Sequence, residues 1–271
     1  MRLVNRRPGR RSGLLLGAIP LLALLVLYTV ASAARHADNP ADKILPTPGM
    51  MLSAMTTLVA QPDPLTDRLI FWADTLASLQ RLGLGLGIAA LAALLLGLAL
   101  GVLPLLRAGL GPVVTTIAVV PPVALLPVLF IVFGLGETAK VALIVIGVAP
   151  FMVRDLALHV TAIPNEQMIK AQTLGASTWQ LAIRLALPQA MPRLIASLRL
   201  SLGPAWVYLI SAEAIASDTG LGYRIFLVRR YLSMDIILPY VVWISLLAIA
   251  CDLGLAWISR RAFPWAHGVR R

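Results

Sequence analysis

The sequence is poor in the residues that do chemistry. Among 271 residues there is one cysteine, Cys251, and there are three histidines. A lone cysteine excludes an intramolecular disulfide. His36, His159 and His267 are scattered, without the spacing of a metal-ligand set. No G-x-x-x-x-G-K-[ST] phosphate loop and no H-E-x-x-H pair occurs. Nor does a nucleophile, base and orienter trio suggest itself, which argues against a membrane-embedded hydrolase. Charge is also scarce: 13% of residues are Asp, Glu, Lys or Arg, about half the share of an average soluble domain.

What the chain has instead is apolar length. Hydrophobic residues make up 59% of it, more greasy surface than a soluble monomer tolerates. Bilayer spans need about 20 mainly apolar residues each. Six such segments are expected, at about 13–34, 82–103, 112–133, 139–153, 194–212 and 236–258. The interior prolines 121, 122, 127, 204 and 239 are compatible with helices, because neighbouring helices can re-satisfy freed backbone groups. The expected fold class is an all-α integral membrane protein. The first segment ends in Ala31-Ser32-Ala33, which looks like a cleavage site, but its apolar stretch is longer than a signal peptide's; an uncleaved helix is expected.

The net charge of +11 does not point to nucleic acid, since the arginines flank apolar runs and form no basic stripe with stacking aromatics. They set orientation instead. With the N-terminus inside, 15 Lys and Arg fall on the cytoplasmic side and 8 outside. The expected layout is a basic cytoplasmic N-terminus at 1–12, a first span at 13–34 and an external, periplasmic segment at 35–81. A five-helix core follows at 82–258, with a long cytoplasmic loop at 159–193, then a basic cytoplasmic C-terminus at 259–271. A short amphipathic helix is expected near Met50–Val59.

The cytoplasmic loop is the informative stretch. Met168, Ala171 and Leu174 recur at three-residue spacing, giving one narrow apolar helical face. Gly175 suits the left-handed residue that ends many helices, and Ser177 with Gln180 has capping-box spacing. Trp179, Ile183 and Ala186 continue on one face, and Pro188 is expected to close the run. Apolar faces in a solvated loop need a cover. It is either the protein's own bundle or a cleft on a soluble partner; periodicity alone does not choose.

This loop resembles the cytoplasmic signature of ABC import permeases, E-A-A, three residues, G, nine residues, I-x-L-P. Ala171 fills the second alanine, Gly175 the glycine, and Leu185-Ala186-Leu187-Pro188 the closing segment. Ile169 stands where the glutamate is expected and Lys170 where the first alanine is, so a glutamate salt link to the ATPase does not carry over; Glu166 lies on the same face as a substitute. Val120 to Pro127 with Phe133-Gly134 resembles the third-helix region of the nitrate, sulfonate and taurine class. Ala212-Glu213 and Gly220 to Tyr223 resemble the end of its fifth helix. The stretch from Ala205 to Tyr231 is similar to the branch associated with urea-carboxylase and guanidine metabolism. The similarity runs from about residue 70 to 260.

The resemblance implies the type I importer permease fold, with about six helices. It further implies a dimer with a second permease copy, a cytoplasmic ABC ATPase dimer below, and a periplasmic substrate-binding protein above. The helix from Asn165 to Gly175 would be the coupling helix, and Glu166, Met168, Lys170, Ala171, Leu174, Gly175, Ala176, Leu187 and Pro188 the coupling residues. This chain would bind no metal or cofactor, with ATP and Mg held by the partner ATPase. Ionisable groups inside spans are expensive and default to function. Arg199, Glu213 and Asp252 are therefore candidates for the pathway, and Trp206 and Tyr208 in the fifth segment join the candidate pathway residues, facing either substrate or a neighbouring helix. Arg199 is expected to snorkel toward the interface, Asp252 to pair with Arg260 or Arg261, and Glu213 equally to hold the turn before Gly220. A proton-coupled secondary transporter or a membrane scaffold is the alternative. The former would be expected to show repeated halves, and neither needs the Gly175 loop.

Overall fold

A computed structural model describes residues 9–39, 42–62 and 67–268. Arg2, Arg6, Arg7, Arg270 and Arg271, which entered the orientation count, lie outside them. Among the described residues five helices are long and apolar enough to cross a membrane, or six if one sharply bent pair is counted as a span.

Helix α1, Arg10–Asp38, is almost wholly exposed along its length. Its C-terminal end is tied to the segment that follows it. Tyr28 Oη donates to the Pro46 carbonyl at 2.7 Å, Ser32 Oγ to that of Leu45 at 2.9 Å, and Arg35 pairs with Asp42. That guanidinium, with the Ile44 N–H, holds the Asp42 carboxyl below its ordinary range. Helix α2, Pro48–Ala60, begins with Thr47 capping Met50 N and a proline in its first turn, where the missing N–H costs nothing.

The bundle proper is built on three long helices. These are α3, Ile70–Val102, α6, Glu137–Thr161, and α8, Thr178–Ile215. Gly85, Ala89, Ala93, Gly97 and Gly101 repeat every fourth residue along α3, and all are buried. This stripe of small residues lets backbones approach closely. A Cβ at Gly85 would sit 2.7 Å from Ile144 Cβ, and one at Gly97 would sit 2.9 Å from Leu156 Cβ. Ile144, Val148, Met152, Leu156 and Val160 of α6 fill the other side. Ala205, Trp206 and Leu209 of α8 join the same core, with Tyr240 and Ile244 of α10, Met234–Ala262, closing it.

Several expectations need correction. The second span begins at Ile70, not Leu82, so Arg81 sits inside a helix and is 4% exposed. Asp74 and Arg81 interrupt the apolar run in sequence, but both are neutralised by distant partners. The segment expected at 112–133 as one span is broken. Helix α4, Pro104–Ile117, and α5, Leu126–Phe133, meet at 83° across a turn holding Pro121 and Pro122. Two adjacent prolines remove two donors at once, more than the neighbours re-satisfy. Helices α6, α8 and α10 all extend beyond the apolar segments marked in the sequence. Pro188 does not close its run either. A π-turn at Leu181–Ala186 rearranges the hydrogen bonds just ahead of it, and α8 continues.

Candidate functional site

Helix α7, Asn165–Thr173, connects α6 to α8 at one end of the bundle. Its C-terminus closes in a Schellman arrangement. Ala176 N donates to the Ala171 carbonyl at 3.0 Å and Gly175 N to that of Gln172 at 2.9 Å. Gly175 has φ +83°, a left-handed value that a side chain disfavours. Two residues on, Ser177 opens α8 with a complete capping box. Its Oγ accepts from Gln180 N at 3.3 Å, and its N–H donates to Gln180 Oε1 at 2.8 Å. Helix α7 is held to α8 by Gln189 Nε2 donating to Gln167 Oε1 at 3.1 Å. Arg193 and Asp155 pair nearby, between α8 and α6.

The apolar stripe of α7 is covered in part by the bundle. Met168 packs on the bundle core and Ala171 is half-buried. Leu174 is 88% exposed and Trp179 is 74% exposed, while Ile169 also faces outward. Glu166 and Lys170 are exposed at opposite ends of α7, the acid in its first turn and the base in its last. That placement complements the helix dipole. Ala176 and Leu187 are half-buried, and Pro188 is exposed. The turn therefore projects an apolar side chain, Leu174, on a turn held by backbone bonds, and Trp179 is exposed at the start of α8.

At the opposite end lies a buried ionic cluster. Glu213 is fully buried. It accepts from Ser78 Oγ at 2.8 Å, Arg81 Nη1 at 2.7 Å and Gly222 N at 2.9 Å. Arg81 also donates to the Thr219 carbonyl at 2.7 Å and, through Nη2, to Glu137 at 2.8 Å. Lys140 Nζ reaches the same Glu137 at 2.9 Å. Asp74 accepts from Gly220 N and Arg224 Nε, both at 2.8 Å. Gly220 has φ +123°, and a Cβ there would lie 2.5 Å from Glu213 Cδ. The cluster ties α3, α6 and α8 to the start of α9, Leu221–Arg229.

The residues proposed from sequence for the pathway thus do not converge on one place. Glu213 belongs to the ionic cluster. Arg199 makes a two-point pair with Asp252 of α10, both contacts at 2.8 Å. Asp252 is accordingly not paired with Arg260 or Arg261. Trp206 is in the core, and the Tyr208 ring lies over Gly147 of α6. Sequence reading missed Arg81 and Asp74, which it left in a loop. It also passed over Arg107 and Arg154, which line a cavity of about 340 Å³ between α4 and α6. The only signal for either pair is charge inside a long helix.

Residues 85–264 match the family described as the binding-protein-dependent transport system inner membrane component. The chain is 35% identical to the taurine transport system permease protein TauC of Escherichia coli over 260 residues, covering 96% of this chain and 91% of that one. It is 30% identical to the nitrate import permease protein NrtB of Synechococcus elongatus, covering 70% and 69%. The fold matches a chain of the MetNI methionine ABC transporter, with a TM-score of 0.60 at 20% identity, over 74% of this chain and 99% of that one. It also matches a chain of a bacterial alginate ABC transporter, with a TM-score of 0.62 at 17% identity, over 93% and 96%. The chain belongs to the binding-protein-dependent transport system inner membrane components, the multi-pass permeases of ABC importers.

Proposed function

We propose that this permease moves a small polar solute, delivered by a periplasmic binding protein, into the cytoplasm by alternating access, driven by a separate ATPase. The observation that carries the reading is the Leu174–Gly175 turn. An apolar knob at 88% exposure, built on backbone-locked geometry, is a surface made for a groove on a soluble partner. The ATPase dimer would seat α7 there, with Leu174, Gly175 and Trp179 at the centre and Glu166, Ile169 and Lys170 at the rim. ATP and Mg would belong to that partner, since this chain has no phosphate loop.

Two copies of this chain would form the pathway in the membrane lipid. Both termini and α7 would face the cytoplasm, following the arginine and lysine bias. The Glu213 cluster would then lie at the periplasmic end, beneath the binding protein. The solute is a small nitrogen- or sulfur-containing compound, of the nitrate, sulfonate and taurine kind or of the guanidine and urea kind. TauC and NrtB, named for taurine and nitrate, support the first. Recovery of a cytoplasmic ATPase with the chain, and its loss when Leu174 is replaced, tests the coupling assignment.

A further inference from the structure

Among the helix arginines without an ion pair, two share one cavity. Arg81, Arg193, Arg199 and Arg224 each have a carboxylate partner. Arg107 of α4 and Arg154 of α6 have none among the described residues; both are exposed, and both line one cavity of about 340 Å³. Thr115 and Thr161 border the same space. Thr161 Oγ1 already donates to the Leu158 carbonyl and Thr116 Oγ1 to that of Pro112, whereas the Thr115 hydroxyl has no partner among the described residues. No carboxylate among the described residues lines the cavity. Two guanidiniums lining one cavity without a carboxylate repel each other, and an anion between them relieves that repulsion.

We infer that this cavity is an oxyanion site, with Arg107, Arg154 and the Thr115 hydroxyl as its donors. Resting on the importer reading above, it would be the last station of an anionic solute before the cytoplasm. Guanidinium forks match nitrate, carboxylate and sulfonate groups by paired N–H donors. A cationic solute such as guanidinium would be repelled here, so the site favours the oxyanion branch of the substrate class. Arg107 also borders an adjoining cavity of about 450 Å³ reached by Asn165, Met168 and Gln172 of α7. Movement of α7 would therefore alter the Arg107 wall, giving the coupling helix a direct effect on release.

The same chemistry is present in a lipid phosphate, so the test separates the two sources. The full chain is placed in nanodiscs of phosphatidylcholine alone or with phosphatidylglycerol, and its melting midpoint is followed with nitrate or methanesulfonate against chloride at equal ionic strength. A midpoint raised by nitrate or methanesulfonate in phosphatidylcholine supports the site with a free solute as its ligand. Arg107→Gln and Arg154→Gln should each weaken the apparent affinity at least about tenfold. Arg184→Gln, outside the cavity, should leave it unchanged. A midpoint raised only by phosphatidylglycerol, and lost in the same two variants, supports the site with a headgroup as its ligand. Equal responses in wild type and both variants, or no response of the wild type to either source, would overturn it. Recovery of the ATPase with the chain is scored separately, so a failed importer assignment and a failed anion site give different results.

Discussion

Arg81 on α3 donates to Glu213 on α8 at 2.7 Å, both side chains buried, across 132 residues of sequence. The pair does not stand alone: Ser78 Oγ and Gly222 N complete the acceptor capacity of the carboxylate, and Glu137 with Thr219 occupies the rest of the guanidinium. A buried charge pair is stabilising relative to its broken form because each partner alone would be left uncompensated. Its geometry makes it a clamp on one end of the bundle.

Glu213→Ala should therefore cost about 1–3 kcal/mol, by leaving the Ser78 hydroxyl and the Gly222 N–H without their acceptor and Arg81 with Glu137 as its remaining carboxylate. The check is the melting midpoint of the purified chain. Arg81→Lys should also lose stability, because one ammonium cannot replace a fork that reaches Glu213, Glu137 and Thr219 together. A midpoint unchanged in both variants would remove the clamp.

Gly97→Leu should destabilise the bundle by about 1–3 kcal/mol through overpacking against α6. Gly83→Leu lies on the same helix with nothing near its Cβ position, and should change the midpoint little. Equal effects at the two positions would mean that the fourfold stripe does not set the helix spacing.

Gly175→Val should leave insertion intact and abolish transport. At φ +83° a β-branched residue is strained. Gly175→Asn should retain part of the activity, because asparagine tolerates the left-handed region better. Solute uptake in cells, beside the amount of chain in the membrane, separates the two. Normal uptake by the valine variant would refute the turn argument.

Orientation is tested by a reporter at the N-terminus. The arginine bias predicts a reporter active in the cytoplasm. Activity confined to the periplasm would invert the assignment and put α7 on the wrong side for an ATPase.

The loop geometry was legible because it is local. A glycine, a capping serine and a glutamine three residues later determine hydrogen bonds within one turn, so Gly175 and Ser177 could be placed before any fold was known. The ionic cluster was not legible for the opposite reason. Asp74 and Arg81 read as loop residues until Gly220, Arg224, Glu137 and Glu213 are brought to them, and those contacts span up to 150 residues. Proline was misread twice, in opposite directions. Pro121 and Pro122 break a segment expected to continue, while Pro188 is carried through a segment expected to stop. The difference lies in the backbone bonds each neighbourhood can rearrange.

The central claim is that the Leu174–Gly175 turn seats an ATPase. Its most direct measurement is purification of the tagged chain from its native membranes in mild detergent, with identification of the proteins that come with it. The account predicts a cytoplasmic ATPase in a ratio near one to one, lost in Leu174→Asp and Gly175→Val while the chain itself remains folded. Recovery of the folded chain alone, under conditions that preserve other such complexes, would contradict it.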